Sequence, residues 1–356
     1  MPLYVDDDGR SISTHSMLKT FRRCPKQAEF KYVMRLKPRI MKKELKRGTW
    51  VHLLLEEYHN HGDWETLHNK LSAQYNELFD EEKDLYGDMP TEIGIIMRSY
   101  EWHYQHDPWT VLETEYQIET EFPDGSIYRG KIDAIIENAL GVWLVDHKTH
   151  KTLPNHAFRL LDAQSALYLW AARRAGIPAQ GFIWNYVRWK PPSVPALVDR
   201  NTRLSKRALE TDYPTFTAAV KRYKQDHPEF KIRPEYVDLQ QRLKKIQYRP
   251  GEPQSSPFFR RDVLEKDNDM LKAVARENYH TSKRMHDYDF ASGAVERVVE
   301  TSCQYSCSFT DICAVQLLGG RLEPLIKQNY RVGDPMDYYN DRAGEFDAKR
   351  EVAKAR

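Results

Sequence analysis

The sequence predicts an α/β fold, a central β-sheet flanked by helices. Two observations predict it. The first is a run of three strand-like segments near 110–122, 127–137 and 142–148, alternating or apolar and joined by short turns. The second is their setting. Helical periodicity precedes them over much of 13–106, and a further helix at 162–175 leads into one more strand near 180–190.

In chain order, residues 1–10 carry no pattern and are expected to fray. Helical patterns cover about 13–34 with a break at Pro25, then 44–60, 64–85 and 90–106, where Pro90 suits a first turn. Asp124-Gly125 provides the tight turn between the first two strands. The helix from Asp162 to Ala175 is ended by Gly176 and then Pro178. Phe182, Ile183, Trp184, Tyr186 and Val187 are β-forming residues, and Pro191 to Pro195 turns the chain. Residues 204–300 read as mostly helical and charged. Within them Phe258, Phe259, Arg260 and Arg261 either stack on bases and grip phosphate or anchor a loop. The tail beyond about Asp334 is rich in charge. The expected divisions are an N-terminal helical region (1–109), a core (110–195), a helical region (196–300) and a cysteine segment with a charged tail (301–356).

A chain of 356 residues allows one to three domains. Its composition, 40% hydrophobic and 30% charged, is that of a globular protein. No stretch approaches the roughly 20 apolar residues of a membrane span, and the opening Met1-Pro2-Leu3-Tyr4-Val5-Asp6 lacks the regions of a signal peptide. The expected place is therefore the cytoplasm. There is no P-loop motif, so nothing points to ATP-driven translocation. The net charge of +2 conceals an uneven distribution: Lys19 to Arg47 holds twelve Lys or Arg against two acids, leaving the rest acidic. Such a run is either a solvated face or a wall that tracks phosphates.

The segment Arg129 to Lys151 carries the chemistry. Strand side chains alternate faces, so Arg129, Lys131 and Asp133 share one face, and Tyr128, Ile132 and Ala134 the other. On the next strand Asp146 and Lys148 point one way and His147 the opposite way. A hairpin closed symmetrically over Asn138 to Gly141 pairs Glu137 with Val142 and sets Asp133 opposite Asp146. Opposed side chains have Cβ atoms about 4.5–5.5 Å apart. Two carboxylates so close repel unless a cation lies between them, and a hard divalent ion bound by oxygens fits that place. Lys148 would then reach the attacking water or the scissile phosphate. The plainer alternative is a half-buried hairpin with a surface ion pair.

At these residues the chain resembles the PD-(D/E)XK nuclease superfamily in its RecB-like branch. Asp133 stands for the first acid, Asp146 for the second and Lys148 for the lysine. Gln164-Ser-Ala-Leu-Tyr168 resembles the Q-x-x-x-Y motif; one turn apart on a helix, Gln164 and Tyr168 share a face. Gly48-Thr-Trp-Val-His52 resembles motif I, whose histidine completes the metal site. The resemblance implies a restriction-endonuclease-like core with a mixed sheet. It implies Mg²⁺ or Mn²⁺ held by His52, Asp133, Asp146 and the His147 backbone carbonyl. Glu115, on an alternating strand among several acids, is a weaker candidate.

The four cysteines are Cys24, Cys303, Cys307 and Cys313. In a cytosolic chain a cluster of three, with a fourth at the far end, points to metal more than to disulfides. Four thiolates suit tetrahedral zinc or a [4Fe–4S] cluster. The split of one N-terminal and three C-terminal cysteines, with Cys24-Pro25 closing a helix, resembles AddB-type helicase–nuclease subunits and CRISPR-associated exonucleases. There an iron–sulfur cluster joins the chain ends. The spacing Cys303-x3-Cys307 departs from the usual C-x2-C and leaves zinc open.

Together these features lead to the expectation of a metal-dependent DNA exonuclease acting on single-stranded or free ends, with recombination or replication proteins as partners. An endonuclease or flap-trimming enzyme with the same site, and a non-catalytic DNA-binding subunit, are the alternatives. Cleavage polarity and oligomeric state are not written in the sequence.

Overall fold

The structure, a computed structural model, describes residues 3–155, 159–205, 207 and 209–337; most of the charged tail beyond Asp334 lies outside them. Its centre is a six-stranded mixed sheet. The strands are β1 (Ile12–Thr14), β3 (Thr110–Glu121), β4 (Ile127–Asn138), β5 (Gly141–His150), β6 (Ala179–Arg188) and β9 (Phe259–Leu264), while β7 (Leu197–Val198) and β8 (Arg203–Leu204) pair with each other outside this sheet. β4 is the axis. β3 pairs antiparallel along one of its edges. The other edge is shared: β1 runs parallel to residues 127–129, and β5 antiparallel to 134–138. Between these two partners the edge at Gly130 to Asp133 is left open. β6 then pairs parallel to β5, and β9 antiparallel to β6.

One layer of helices covers each face. α7 (Ala163–Arg174) and α10 (Asn268–His286) cover a core that includes Ile118, Tyr128, Ile132, Leu144, Phe182 and Trp184. α3 (Lys43–His61), α4 (Glu65–Asn76), α5 (Asp80–Tyr86) and α6 (Met89–Tyr104) form the opposite layer, packed around Trp50, Leu54, Met97 and Tyr100. The expected helix over 64–85 is thus two helices. α8 (Tyr213–Asp226) and α9 (Pro234–Lys244) build a small satellite core around Phe216, Val220 and Tyr236. No helix among the described residues is long and apolar enough to cross a membrane.

The expected alternation on β4 breaks at the site. Ile132 packs under α7, but Ala134 packs on the opposite side with Ile136 and Val145. Residues two apart on a regular strand share a face, so the faces exchange at Asp133. The same exchange occurs on β3, where Thr114 meets Asn60 of α3 while Tyr116 packs under α7. Between them Glu115 has φ of 52°, a left-handed conformation unusual for a residue with a Cβ. On β3 the exchange coincides with that residue. Ala134 does not share a face with Tyr128 and Ile132.

Two further expectations are corrected. Residues 3–11 do not fray: Tyr4 is buried against Tyr32, and Ile12 N–H donates to the Tyr4 carbonyl. Phe258, Phe259 and Arg261 are buried in and beside β9, which supplies a sheet edge from within the segment read as helical. They contribute to the core and are not free to stack on bases.

The N-terminal segment meets residues 296–332. α1 (His15–Arg23) begins at Thr14, whose hydroxyl accepts from Met17 N–H, and stops where Cys24 precedes Pro25. α2 (Pro25–Ala28) follows, and a short β2 (Leu36–Pro38) pairs with β10 (Tyr330–Val332). Lys26 N–H donates to the Glu296 carbonyl, Arg23 to Ser302 and Ser306, and Lys42 to the Tyr305 carbonyl.

Candidate active site

The β4–β5 hairpin has the expected register, with Glu137 opposite Val142. Its paired ladder stops at Ala134 and Val145, one step before the two acids. There the strands part, and the Asp133 carboxylate takes the role of a ladder acceptor, receiving the His147 N–H at 2.7 Å. Asp146 is closed from two sides. Gln164 donates to its Oδ1 at 2.6 Å, and Lys148 Nζ lies 2.5 Å from its Oδ2. Gln164 is placed by the start of α7, where the Asp162 side chain caps the helix by accepting the Gln164 N–H at 2.8 Å.

His52 approaches from the α3 side, its Nδ1 3.4 Å from Asp133 Oδ2. Gly48, inside α3, allows this approach, since a Cβ there would stand 3.1 Å from Thr149 Oγ1. Glu115 also belongs here. It sits at the register position across from Asp133 and pairs with buried Lys131 at 2.6 Å. Tyr168 is buried and lies over Gly130, where a Cβ would come 2.9 Å from its ring. It faces the sheet beneath Gln164 rather than open solvent. The His147 side chain points away, to the α3 side, where its ring stacks on His59 at 5.4 Å.

The electrostatics follow from burial. It pushes Asp133 up to about 7, opposed by Lys148 and reinforced by Glu115. It pushes Asp146 up to about 6, again against the pull of Lys148 and with repulsion from Asp133. His52 is lowered by burial and then by Lys148, so its imidazole is neutral near pH 7. Burial opposes the charge on Lys148, but Asp146 and Asp133 outweigh it and raise its pKa.

Among the described residues no three His, Cys, Asp or Glu side chains stand ready-made around a metal position. Lys148, Gln164 and the His147 N–H fill the carboxylates instead. The donor set nonetheless fits a hard divalent cation: two buried, mutually repelling carboxylates beside a neutral imidazole.

The basic stretch is largely occupied. Lys26 is buried against Glu29 at 2.5 Å, and Arg47 is buried over Trp189 and paired with Glu92. Arg22 binds Asn278 and Thr281, while Arg23, Lys37 and Lys42 bind the C-terminal segment. These contacts favour an internal fastening over a phosphate-tracking wall. The four cysteines are unpaired and partly buried. Burial pushes the Cys313 thiol up against the pull of Arg297, with Cys24 and Cys307 near enough to add to the rise. Cys303 Sγ turns toward the Val298 carbonyl at 3.8 Å.

Sequence reasoning missed Asn185, Asp107 and His59, which with Arg261 form a largely buried polar cluster behind His147. One signal was available: Asn185 is a lone amide within the apolar run Phe182 to Val187. Such a group enters a buried strand only with hydrogen-bond partners.

A sequence profile of the PD-(D/E)XK nuclease superfamily matches residues 13–314. The chain belongs to that superfamily. It is a nuclease, a hydrolase whose substrate class is DNA, and nucleases of this superfamily in general use Mg²⁺ or Mn²⁺. A solved structure described as the crystal structure of SSO0001 is 14% identical, with 74% of this chain and 94% of that one covered and a TM-score of 0.25. No curated protein matches.

Proposed function

We propose that the protein is a metal-dependent DNA exonuclease of the RecB-like branch, acting on single-stranded or free ends. The observation that carries this reading is the convergence of Asp133, Asp146, Lys148 and Gln164 where β4 and β5 part, within 3.4 Å of His52 at its closest. His52, Asp133, Asp146 and the His147 carbonyl would hold Mg²⁺ or Mn²⁺, which when bound supplies activated water and a polarised phosphate. Lys148 is an ammonium in the resting site. Its part is to orient the attacking water and meet the charge growing on the phosphate. Gln164 holds Asp146 in place, and Tyr168 sets the height of that helix turn above β4.

We further propose that Cys24, Cys303, Cys307 and Cys313 hold a [4Fe–4S] cluster, with zinc as the alternative. Supporting this is the meeting of the chain ends around Cys24, Cys307 and Cys313. The direct test of the nuclease is digestion of end-labelled linear and circular single-stranded DNA with Mn²⁺. Loss of linear DNA only, and about a hundredfold or greater slowing in Lys148→Ala, are expected. Cutting of the circle would make it an endonuclease. Full activity in Lys148→Ala would remove Lys148 from the reaction.

A further inference from the structure

At the level of the site, one polar residue from each of four strands lines up across the sheet. His147 on β5 registers with Asn185 on β6, and Asn185 with Arg261 on β9. Asp133 on β4 completes the row through the His147 N–H. Asn185 Nδ2 contacts His147 Nδ1 at 2.7 Å and the Tyr100 hydroxyl at 2.9 Å. Arg261 Nε lies 3.4 Å from Asn185 Oδ1, and its guanidinium pairs with Asp107 at 2.6 Å. The guanidinium is also sandwiched by Trp109 and Tyr104, 3.4 and 3.7 Å from their ring centres. Asn185 is wholly buried and Arg261 nearly so.

The chemistry of this row has one consistent solution. Arginine has only donors, so Asn185 must turn its oxygen to Arg261 and its amide group to His147. His147 Nδ1 must then accept, which leaves the imidazole proton on Nε2. The ring is held on a second side by His59, stacked at 1°.

Ladder hydrogen bonds between β4 and β5 end before the acids, so the ladder no longer sets the spacing of Asp133 and Asp146. We infer that Asn185, backed by Arg261, is a positioning residue: it anchors His147, and the His147 backbone N–H in turn fixes Asp133 for metal binding. This rests on the reading that Asp133 and Asp146 hold the metal. Partners one shell out from a metal ligand typically change its affinity by about 10- to 100-fold.

The test is Mn²⁺ titration by calorimetry without DNA, together with amide exchange at His147. The proteins are the parent, Asp133→Ala, Asn185→Leu and Asn185→Asp. Asn185→Leu should bind Mn²⁺ about tenfold or more weakly and exchange the His147 amide faster. Asn185→Asp presents an oxygen to His147, so the imidazole proton must move to Nδ1, visible in ¹⁵N shifts, with Mn²⁺ affinity kept within about threefold of the parent. If the parent and Asp133→Ala bind Mn²⁺ alike, the metal-site reading fails. If Asp133→Ala alone loses binding while folded Asn185→Leu matches the parent, only the positioning role fails. Should Asn185→Leu not fold, Asn185→Asp decides: an unmoved proton or a tenfold weaker affinity overturns the inference.

Discussion

Asp133 is nearly sealed from water, and burial pushes its carboxyl up to about 7 against the pull of Lys148. In the metal-free protein a carboxyl with a raised pKa favours the folded state most at low pH. That contribution is complete below the unfolded value near 4 and is lost as pH rises through about 7. Asp133→Asn keeps the shape without the charge. It should raise the melting temperature of chelator-treated protein at about pH 8 and change it little at about pH 4. Equal effects at both pH values would mean the acid is not destabilised by burial. Added Mn²⁺ should reverse the order, since only the parent offers a charged oxygen for it. Thermal melts across pH, with and without metal, check both statements.

At the scale of elements, Gly130 and Tyr168 form the contact that seats α7 on β4. A Cβ at 130 would meet the Tyr168 ring at 2.9 Å and Ile118 at 3.2 Å. Gly130→Ala should therefore cost about 1–3 kcal/mol in urea unfolding. It should also slow cleavage, because Gln164 rides on the same turn. Unchanged stability would show the ring free to slide aside. The β4–β5 hairpin was legible in the sequence because a short turn pins its register: Glu137 faces Val142, and the pairing runs as far as Ala134 and Val145, one step before the two acids. The exchange of faces at Asp133 was not legible. On the neighbouring β3 it coincides with left-handed Glu115, and nothing in a glutamate signals that conformation. β9 was missed for a different reason. Its pairing with β6 is made across more than 70 intervening residues, beyond the reach of any local pattern. Asn185 was the exception, a visible misfit in an apolar strand whose partners only the fold supplies.

For the molecule as a whole, the N-terminal segment is fastened to residues 296–337. Arg23, Lys26 and Lys42 hold segments 296–306, while β2 pairs with β10. A metal joining Cys24 to the C-terminal cysteines would tighten this closure of a very long loop, and its binding would add to folding. Anaerobically purified protein should contain about four irons per chain, as a [4Fe–4S] cluster requires. Cys24→Ser should lose the iron and become open to limited proteolysis near both termini. Stoichiometric zinc in place of iron would make the fastening a zinc site. Full iron content in Cys24→Ser would detach Cys24 from it. The basic run from Lys19 to Arg47 was read correctly as a concentration of charge. The contacts of Arg22, Arg23, Lys37 and Lys42 were hidden, because their partners lie in segments far downstream.

The closing pair of strands also has a temporal meaning. β2 leaves the ribosome early, but Tyr330 to Val332 must follow before it has a partner. β1, which borders the open edge of β4, is continuous with α1, whose Arg22 is held by Asn278 and Thr281 of α10. During synthesis at about 5–20 residues per second, α1 and β2 therefore wait for α10 and β10 to emerge before these contacts can form. A copy cut short before α10 carries both acids but lacks the contacts that hold α1 and β2 in place.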